Sequence, residues 1–559
     1  MSGMKTPESI GWRAALLAPG VSRPAALAAG LAAAVVFVAV ASLRLTAQGL
    51  YYDELHQATG AFAYTGQPPP PPRLFAVLCV EGIPVLNMPY TGAIKTGLYG
   101  LYLRVTGAQF SVVSWRALGI LFTALGIFVF CPLARRAFSP LGLIVFLLLV
   151  VSDLMVVVGS RHDWGPIALA LLLRFLLIGT WLHGETAPTL SRWNTFTLGL
   201  LTGVAVFEKL SSVVLLGPVL AMVGLSPRRR SAQHRMALLL GGLVGSFPLL
   251  AVNAYGLYHF RTLPSLQDYQ VPHPKSLGGF LTYAQEYLAL GQGETIRYQI
   301  LGDTSGTGPW EAALLGLTVL SVVILALRRG RGEPSYRLAG VAALSYACVA
   351  VLLYLLPRPA TPHHWIIGTP FQYLALTLPL TGRPDVAVPP RRSAALMTAG
   401  LLVLAALLLA ARVPAFASTV GALARGDATL MWDPSLTALG EQAARRQADA
   451  AFIAADWGVE TQIYCFAGGR PDSVYPLFWN YRGPEELGKT LAASRKNTFY
   501  LIGLKEHSGV SRTNTARLWE DAGRLPNWEE VPVEDELASL RAVLVRKFVS
   551  RGAGRPAPE

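Results

Sequence analysis

Charged residues and cysteines are both scarce in this chain of 559 residues. Only 14% of the residues are Asp, Glu, Lys or Arg, whereas 52% are hydrophobic. The four cysteines show no CxxC or Cys/His spacing, so the sequence contains no recognisable structural zinc motif. A disulfide between Cys79 and Cys465 is left open, because both residues fall in segments expected on the same side of a membrane.

The chain also lacks internal repeats and a Gly-rich phosphate-binding motif. It has instead apolar stretches that are long enough to cross a bilayer and that recur through its first three quarters. These stretches predict a polytopic α-helical membrane protein. The first run, 25–43, has few flanking charges and no strong small-residue cleavage site, so we expect an uncleaved signal anchor.

About 11 spans are expected from the apolar runs. They cover 25–46, 115–133, 141–158, 165–183, 195–207, 211–225, 236–255, 311–328, 338–356, 365–381 and 393–412. Residues 195–225 could also form one long span. We favour two short helices that separate at Glu208-Lys209, because short helices are tolerated when they pack inside protein.

The arginine positions decide between these two topologies and explain the net charge of +14. Arginines cluster in short loops, at Arg135-Arg136, Arg228-Arg229-Arg230, Arg328-Arg329 and Arg391-Arg392. With the split at Glu208-Lys209, all four clusters lie in the cytoplasm, as the positive-inside rule requires. This pattern favours a membrane protein without a nucleic-acid partner.

An odd number of spans with a cytoplasmic N-terminus places the C-terminus outside. We therefore expect a transmembrane domain over 1–412, with a long first outer loop at 47–114, and an extracytoplasmic α/β domain over 413–559. In the second domain, helices are expected at 435–448 and near 484–494. Short apolar runs at 451–455, 462–466, 498–504 and 541–548 predict strands.

An acidic doublet, Asp53-Glu54, follows the first span in the sequence YYDELHQATGAF. Charges beside a membrane span are costly to hold near lipid and are more often functional than decorative. The predicted topology brings other ionisable residues to the same outer face: His56, Lys95, Arg161, His162, Asp163, Lys209, Arg358, His363 and His364. Carboxylates mixed with cations suit transfer to a hydroxyl from a phosphate-linked donor. A carboxylate accepts the hydroxyl proton, and cations stabilise the leaving phosphate.

Four segments resemble one enzyme family. Besides the acidic doublet, they are PYTGAIKTGLYGLYLRVTG at 89–107, an Arg-led second span at 114–136, and the Gly-rich segment GLLTGVAVFEKLS that ends beyond Lys209. Together they resemble the GT-C glycosyltransferases, and more narrowly the protein-mannosyltransferase, aminoarabinose-transferase and RgtA/B/C/D-like group. The resemblance implies an inverting enzyme of the bacterial-type plasma (inner) membrane that uses polyprenyl-phosphate sugars at the outer face.

The resemblance also assigns roles to individual residues. It implies that Asp53 is the catalytic base, that Asp163 is a second acidic residue of the site, and that Lys95 and Lys209 lie near the lipid phosphate. We assign substrate binding to these two lysines and to Glu54, His56, Tyr90, Arg161, His363 and His364. Some relatives have a Glu directly before the surface-helix Lys as part of a metal site, and here that position is Ile94. No metal ligand is therefore assigned, although a divalent metal is not excluded.

Each residue also has a purely structural interpretation. Asp163 precedes a Pro-led helix and could be its N-terminal cap. Arg161 and Lys95 could extend to lipid headgroups. His363 and His364, beside Trp365, could belong to an interfacial aromatic belt.

Three other functions compete with the transferase. A transporter or lipid flippase also uses broken helices and charges within the membrane, but it often has repeated halves. A non-catalytic polysaccharide-binding protein would leave the clustered charges unexplained. An intramembrane protease is disfavoured because DELH is not the HExxH zinc motif. The sequence does not identify the sugar, or whether the acceptor is a glycan, a lipid or a protein.

Overall fold

A computed structural model describes residues 16–70, 77–269, 275–330, 333–357, 361–381, 392–506 and 512–551. Arg391, one of the arginines predicted to be cytoplasmic, and Arg358, predicted at the outer face, lie outside these ranges. The described part of the chain consists of a helical region followed by a small α/β domain.

The first half of the helical region begins with a long helix and a structured loop. Its helices are α1 (Arg23–Ala41), α2 (Tyr52–Leu55), α3 (Ile94–Thr106), α4 (Val112–Ala134), α5 (Pro140–Val151), α6 (Leu154–His162), α7 (Ala168–Thr186), α8 (Arg192–Glu208) and α9 (Leu216–Gly224). The first loop also holds an antiparallel hairpin, β1 (Val77–Val80) and β2 (Ile83–Asn87), which the sequence did not predict.

The second half continues with α10 (Ala232–Phe260), α11 (Leu277–Leu288), α12 (Glu294–Leu301), α13 (Gly308–Arg329), α14 (Pro334–Leu355), α15 (Pro362–Trp365), α16 (Phe371–Thr377) and α17 (Arg392–Arg425). Short 3-10 segments join several of these helices, including Leu210–Leu215 between α8 and α9.

Seven helices among the described residues are long and apolar enough to cross a membrane, and the bent pair α5–α6 could supply an eighth span. The protein is thus a polytopic helical membrane protein. The expected count of 11 also includes the shorter or interrupted segments around α8, α9 and α15–α16, and it stays a prediction. The expected break at Glu208-Lys209 coincides with the end of α8.

One predicted span differs from a straight helix. Residues 141–158 were expected to be continuous, but α5 and α6 meet at an angle of 52°. The side chain of Asp153 accepts a hydrogen bond from the backbone N–H of Val156 at 3.0 Å and so begins a new helix. Asp153 also binds the Tyr373 hydroxyl, which contacts Arg412. A buried acidic residue in an apolar helix therefore marks a break.

The α/β domain contains α18 (Ser435–Arg446), α19 (Val459–Phe466), α20 (Pro484–Ser494) and α21 (Arg512–Ala522). Its strands are β3 (Ala450–Ala454), β4 (Tyr475–Pro476), β5 (Thr498–Leu504), β6 (Trp528–Val531) and β7 (Val543–Ser550). The sheet order is β4-β3-β5-β7-β6, with β3 parallel to β4 and β5, and β7 antiparallel to its neighbours.

Most expected elements of this domain are present, but the strand at 462–466 was wrong. That run lies in helix α19, which begins after Gly458 at a φ of +99°. A short, continuously apolar run does not distinguish a buried strand from a buried helix, and here Ile463 and Tyr464 pack against α18 and the sheet. The helix expected to end at 412 continues to Arg425 as α17. The four cysteines are free thiols.

The first loop is packed against the α/β domain through a shared apolar core. One sheet face, with Phe452 and Tyr500, packs with α18 and α19 and with Leu55 and Phe62 of the loop. Gly49 is required at this contact, because a Cβ there would lie 2.0 Å from the carbonyl oxygen of Asp433. The acidic doublet is consequently held between the membrane helices and the α/β domain.

Candidate functional site

Asp53 lies in the short helix α2, on the side that remains partly exposed. Its Oδ2 accepts a hydrogen bond of 2.7 Å from the indole N–H of Trp164. Burial raises the pKa of the Asp53 carboxyl to about 6, and the Trp164 hydrogen bond partly opposes this rise because it stabilises the charged form. The carboxylate is thus ionised at neutral pH and is more basic than an ordinary aspartate.

Glu54 has a different environment, although it is the next residue. Its carboxylate is fully buried and binds the Arg116 guanidinium at both oxygens, over 2.7 and 2.8 Å. Arg116 also donates to the carbonyl oxygens of Leu45, Gln48 and Gly49. This paired, bidentate contact fixes the first loop to the start of α4. Substrate binding by Glu54 remains a prediction.

Asp163 lies in the turn between α6 and α7, with a φ of +45°. Its Oδ1 accepts from the backbone N–H groups of Ile167 and Ala168, each at 2.8 Å, so it caps the start of α7. Its Oδ2 binds the Lys95 ammonium at 2.5 Å, and both side chains are almost completely buried. The lysine Nζ lies 3.7 Å from the centre of the Trp115 ring. Asp163 therefore caps α7 with one carboxylate oxygen and pairs with Lys95 through the other.

Lys209 joins three separate segments at the end of α8. Its ammonium donates to the backbone carbonyl oxygens of Gly165 and His363. The loop before α3 packs on the same turn, since the N–H of Leu210 donates to the carbonyl oxygen of Tyr90. The helix break thus brings a buried cation beside the turn that contains Asp163 and Trp164.

Gly92 allows this close approach between the first loop and the end of α8. A Cβ at this position would lie 2.8 Å from the Phe207 carbonyl oxygen and 2.9 Å from the Glu208 Cα. The N–H of Gly92 donates to the carbonyl oxygen of Glu208 at 3.0 Å. Any larger residue would push Lys95, three residues later, away from the Lys209 turn.

Three of the four histidines predicted at this face, His56, His363 and His364, lie around this turn. His56 is buried, and neither ring nitrogen has a hydrogen-bond partner among the described residues. Burial lowers its pKa to about 4, so the ring is neutral at neutral pH. The rings of His363 and His364 lie 4.2 Å apart, and His363 lies 5.8 Å from Trp164. A neutral imidazole offers one donor and one acceptor to a bound molecule.

The Arg161 side chain binds the end of the first span, α1. Its guanidinium donates to the carbonyl oxygens of Ala41, Leu43 and Arg44 and to the side-chain oxygen of Gln48. The guanidinium thus satisfies backbone carbonyl groups at the end of α1 and just after it, which have no partner within the helix. Its assignment to substrate binding stays a prediction.

Sequence reasoning did not select Glu208 as a functional residue. Its carboxylate is fully buried, and neither oxygen has a hydrogen-bond partner in the described part of the chain. The position in an apolar helix before Lys209 was the available signal, because an unpaired buried carboxylate is costly. Among the described residues, no group of three or more His, Cys, Asp or Glu side chains could hold a metal ion.

The α/β domain contributes aromatic rings to the surroundings of Asp53. Trp457 lies 4.4 Å from Tyr52 between ring centroids, and Trp432 lies 5.4 Å from Tyr51. One cavity has a volume of about 1260 Å³ and lies between the 62–67 and 103–113 segments and α18. Asp53 does not line this cavity.

The sequence matches no protein-family profile and no curated protein. The fold, however, is similar to that of ArnT from Cupriavidus metallidurans bound to undecaprenyl phosphate. The two chains share 13% identity with a TM-score of 0.55, over 92% of this chain and 96% of the other. The apo state of the same enzyme gives a TM-score of 0.53 at 14% identity, over 91% and 97% of the two chains. The chain therefore has the same overall fold as this ArnT.

Proposed function

We propose that this protein is an inverting glycosyltransferase that moves a sugar from a polyprenyl-phosphate donor to an extracytoplasmic acceptor. The observation that carries the proposal is the Asp53 carboxylate, which is partly exposed and has its pKa raised to about 6. A general base works best when its pKa lies near the operating pH. The fold is similar to that of ArnT bound to undecaprenyl phosphate, and this similarity supports the assignment.

The proposed reaction is a single displacement. Asp53 accepts the proton of an acceptor hydroxyl, and the hydroxyl oxygen forms a bond to the anomeric carbon on the face opposite the phosphate. The bond between that carbon and the phosphate oxygen breaks, and the electron pair leaves with the polyprenyl phosphate. The anomeric configuration is therefore inverted.

The cations of the site suit the leaving phosphate. Lys209 uses two of its three ammonium donors on the backbone oxygens of Gly165 and His363, which leaves one for a phosphate oxygen. Lys95 is held by Asp163, so its charge is partly compensated, while Lys209 has no carboxylate within ion-pair distance among the described residues. We assign the larger share of phosphate stabilisation to Lys209. No metal is required by this scheme.

The proposed orientation follows the arginine clusters. Arg229 and its neighbours lie in the cytoplasm, and Asp53, Lys209 and the α/β domain lie on the outer face of the plasma membrane. Helix α3 is suited to the membrane surface, because Leu101 and Val105 are exposed while Lys95 and Tyr99 are buried.

Reconstituted full-length protein tests the function directly. It is supplied with an envelope glycan fraction and with radiolabelled polyprenyl-phosphate mannose, arabinose derivatives or galacturonate, each compared with the matching nucleotide sugar. We expect incorporation from a lipid-linked donor and none from a nucleotide sugar. Direct turnover of a nucleotide sugar, with no lipid intermediate, would contradict the proposal. Movement of a lipid across the bilayer without transfer would instead indicate a flippase.

A further inference from the structure

The α/β domain presents an aromatic surface at the carboxyl ends of its parallel strands. The chain passes from β3 to β4 on one side and then crosses to β5 on the other side. In open α/β sheets, ligands bind outside the carboxyl ends of the strands at such a reversal of strand order. Trp457 follows the end of β3, and Trp479 follows the end of β4.

These two tryptophans continue the aromatic residues beside Asp53. The ring of Trp457 lies 4.4 Å from Tyr52, the residue before Asp53, and 6.3 Å from Trp479. Trp479 packs at 5.0 Å from Phe478, yet 43% of its surface remains exposed. A run of rings therefore leads from the proposed base to an exposed tryptophan on the α/β domain.

Acidic side chains accompany the rings. The Asp456 carboxylate accepts from the backbone N–H of Trp457 at 2.8 Å. Glu460 is almost fully buried. Its Oε2 accepts from the N–H of Gly458 at 3.0 Å, while its Oε1 has no partner among the residues described. Burial raises the pKa of Glu460 to about 8, so at neutral pH its protonated carboxyl can donate as well as accept.

We propose that Trp457 and Trp479, with Asp456 and Glu460, form the acceptor subsite and that the acceptor they bind is a carbohydrate. A sugar ring has an apolar face of C–H groups and a rim of hydroxyls. The exposed Trp479 ring and the half-buried Trp457 ring match the face, and the carboxyl of Glu460, with its unpartnered Oε1, matches the rim. A lipid chain would leave the Oε1 of Glu460 without a partner, and a polypeptide strand would pair with an open sheet edge. That the bound carbohydrate is the acceptor rests on the proposed function, but carbohydrate binding itself is testable without it.

The test measures binding and needs no donor. Full-length protein in lipid nanodiscs is applied to an array of immobilised hexose, pentose and uronic-acid oligosaccharides, with unglycosylated peptides and phospholipids as further spots. We expect binding to oligosaccharide spots, and Trp479→Ala should weaken it by at least about tenfold through the lost ring contact. Trp193→Ala is the matched control, because Trp193 is a 74% exposed tryptophan on α8 and should bind as the wild type does.

The outcomes separate this inference from the proposed function. Absence of oligosaccharide binding, equal binding by Trp479→Ala, or retention on peptide or phospholipid spots alone would overturn the inference, whatever the transferase assay shows. Trp479-dependent oligosaccharide binding by a protein that uses no polyprenyl-phosphate sugar would support the subsite and reject the transferase. Unchanged thermal unfolding of Trp479→Ala shows that the loss is local.

Discussion

The Trp164 indole donates a 2.7 Å hydrogen bond to the Asp53 carboxylate, across 111 positions of sequence. It connects the turn between α6 and α7 with helix α2. Because the Oδ1 of Asp53 forms no hydrogen bond or ion pair within the described part of the chain, it is the oxygen available to an incoming hydroxyl. Trp164 thus orients the proposed base.

Replacing Asp53 by Asn should remove most of the transferase activity. The amide keeps the size of the side chain but cannot accept the acceptor proton, and loss of a general base typically costs about 10²–10⁴-fold in rate. The measurement is kcat for sugar transfer by purified variant. Glu54→Gln is an informative comparison because it removes the buried carboxylate that pairs with Arg116. It should therefore reduce the yield of folded protein. Near-normal kcat for Asp53→Asn would remove Asp53 from the mechanism.

The pH profile of kcat/KM should have an acidic limb near pH 6. The Asp53 carboxyl must be ionised to act as a base, so activity falls as pH decreases through its pKa of about 6. Trp164→Phe removes the N–H that stabilises the charged form, so the pKa rises and the limb moves to higher pH. A limb that stays in place in Trp164→Phe would mean that another group titrates.

Lys209→Ala should impair use of the donor more than use of the acceptor. A hydrogen bond to a charged group contributes about 1.5–3 kcal/mol, which corresponds to about ten- to a hundredfold in kcat/KM for the donor. Acceptor KM should change much less. Lys275→Ala, at an exposed lysine over the Tyr354 ring, controls for a general loss of positive charge. Equal effects on both substrates would exclude a specific phosphate role.

The buried pair of Lys95 and Asp163 should be strongly coupled. Lys95→Met leaves a carboxylate buried without its partner, and breaking such a pair typically costs about 3–5 kcal/mol. The double variant Lys95→Met/Asp163→Asn should be more stable than the single one. Apparent Tm in detergent reports both effects. Lys489→Met, in an exposed pair with Glu485, should leave Tm nearly unchanged. Additive losses in the double variant would show that the pair is not coupled.

Membrane orientation is tested by two cysteines in a background free of the four native ones. Ser231→Cys, next to the arginine cluster, should resist an impermeant thiol reagent in intact cells, whereas Ser539→Cys in the α/β domain should react. Both serines are exposed, so access is set by the side of the membrane. Labelling at Ser231→Cys would reject the split at Glu208-Lys209.

The sequence predicted the membrane class, the break after Glu208 and three of the strands, because these depend on local hydrophobicity and on charge placement. The assignment of Asp53 as the base and of Glu54 to substrate binding came from the family resemblance, and the sequence did not show that Glu54 is buried against Arg116. The two carboxylates differ only in the direction that α2 gives them, and the Arg116 partner of Glu54 is 62 positions away. Trp457 was missed for the same reason, since its contact with Tyr52 exists only in the assembled fold.

Helix α17 has 34 residues and so extends about 51 Å, whereas the hydrocarbon core of a bilayer is about 30 Å thick. Its length exceeds this thickness by about 20 Å, and Arg44 and Gln48 hold its end and the residues just after it through the carbonyl oxygens of Ala424, Arg425 and Asp427. A continuous helix, and not a flexible linker, thus connects the membrane helices to the α/β domain. If the membrane helices and the α/β domain must move apart to release product, α17 has to bend. Pro414 is the position along α17 where bending is easiest.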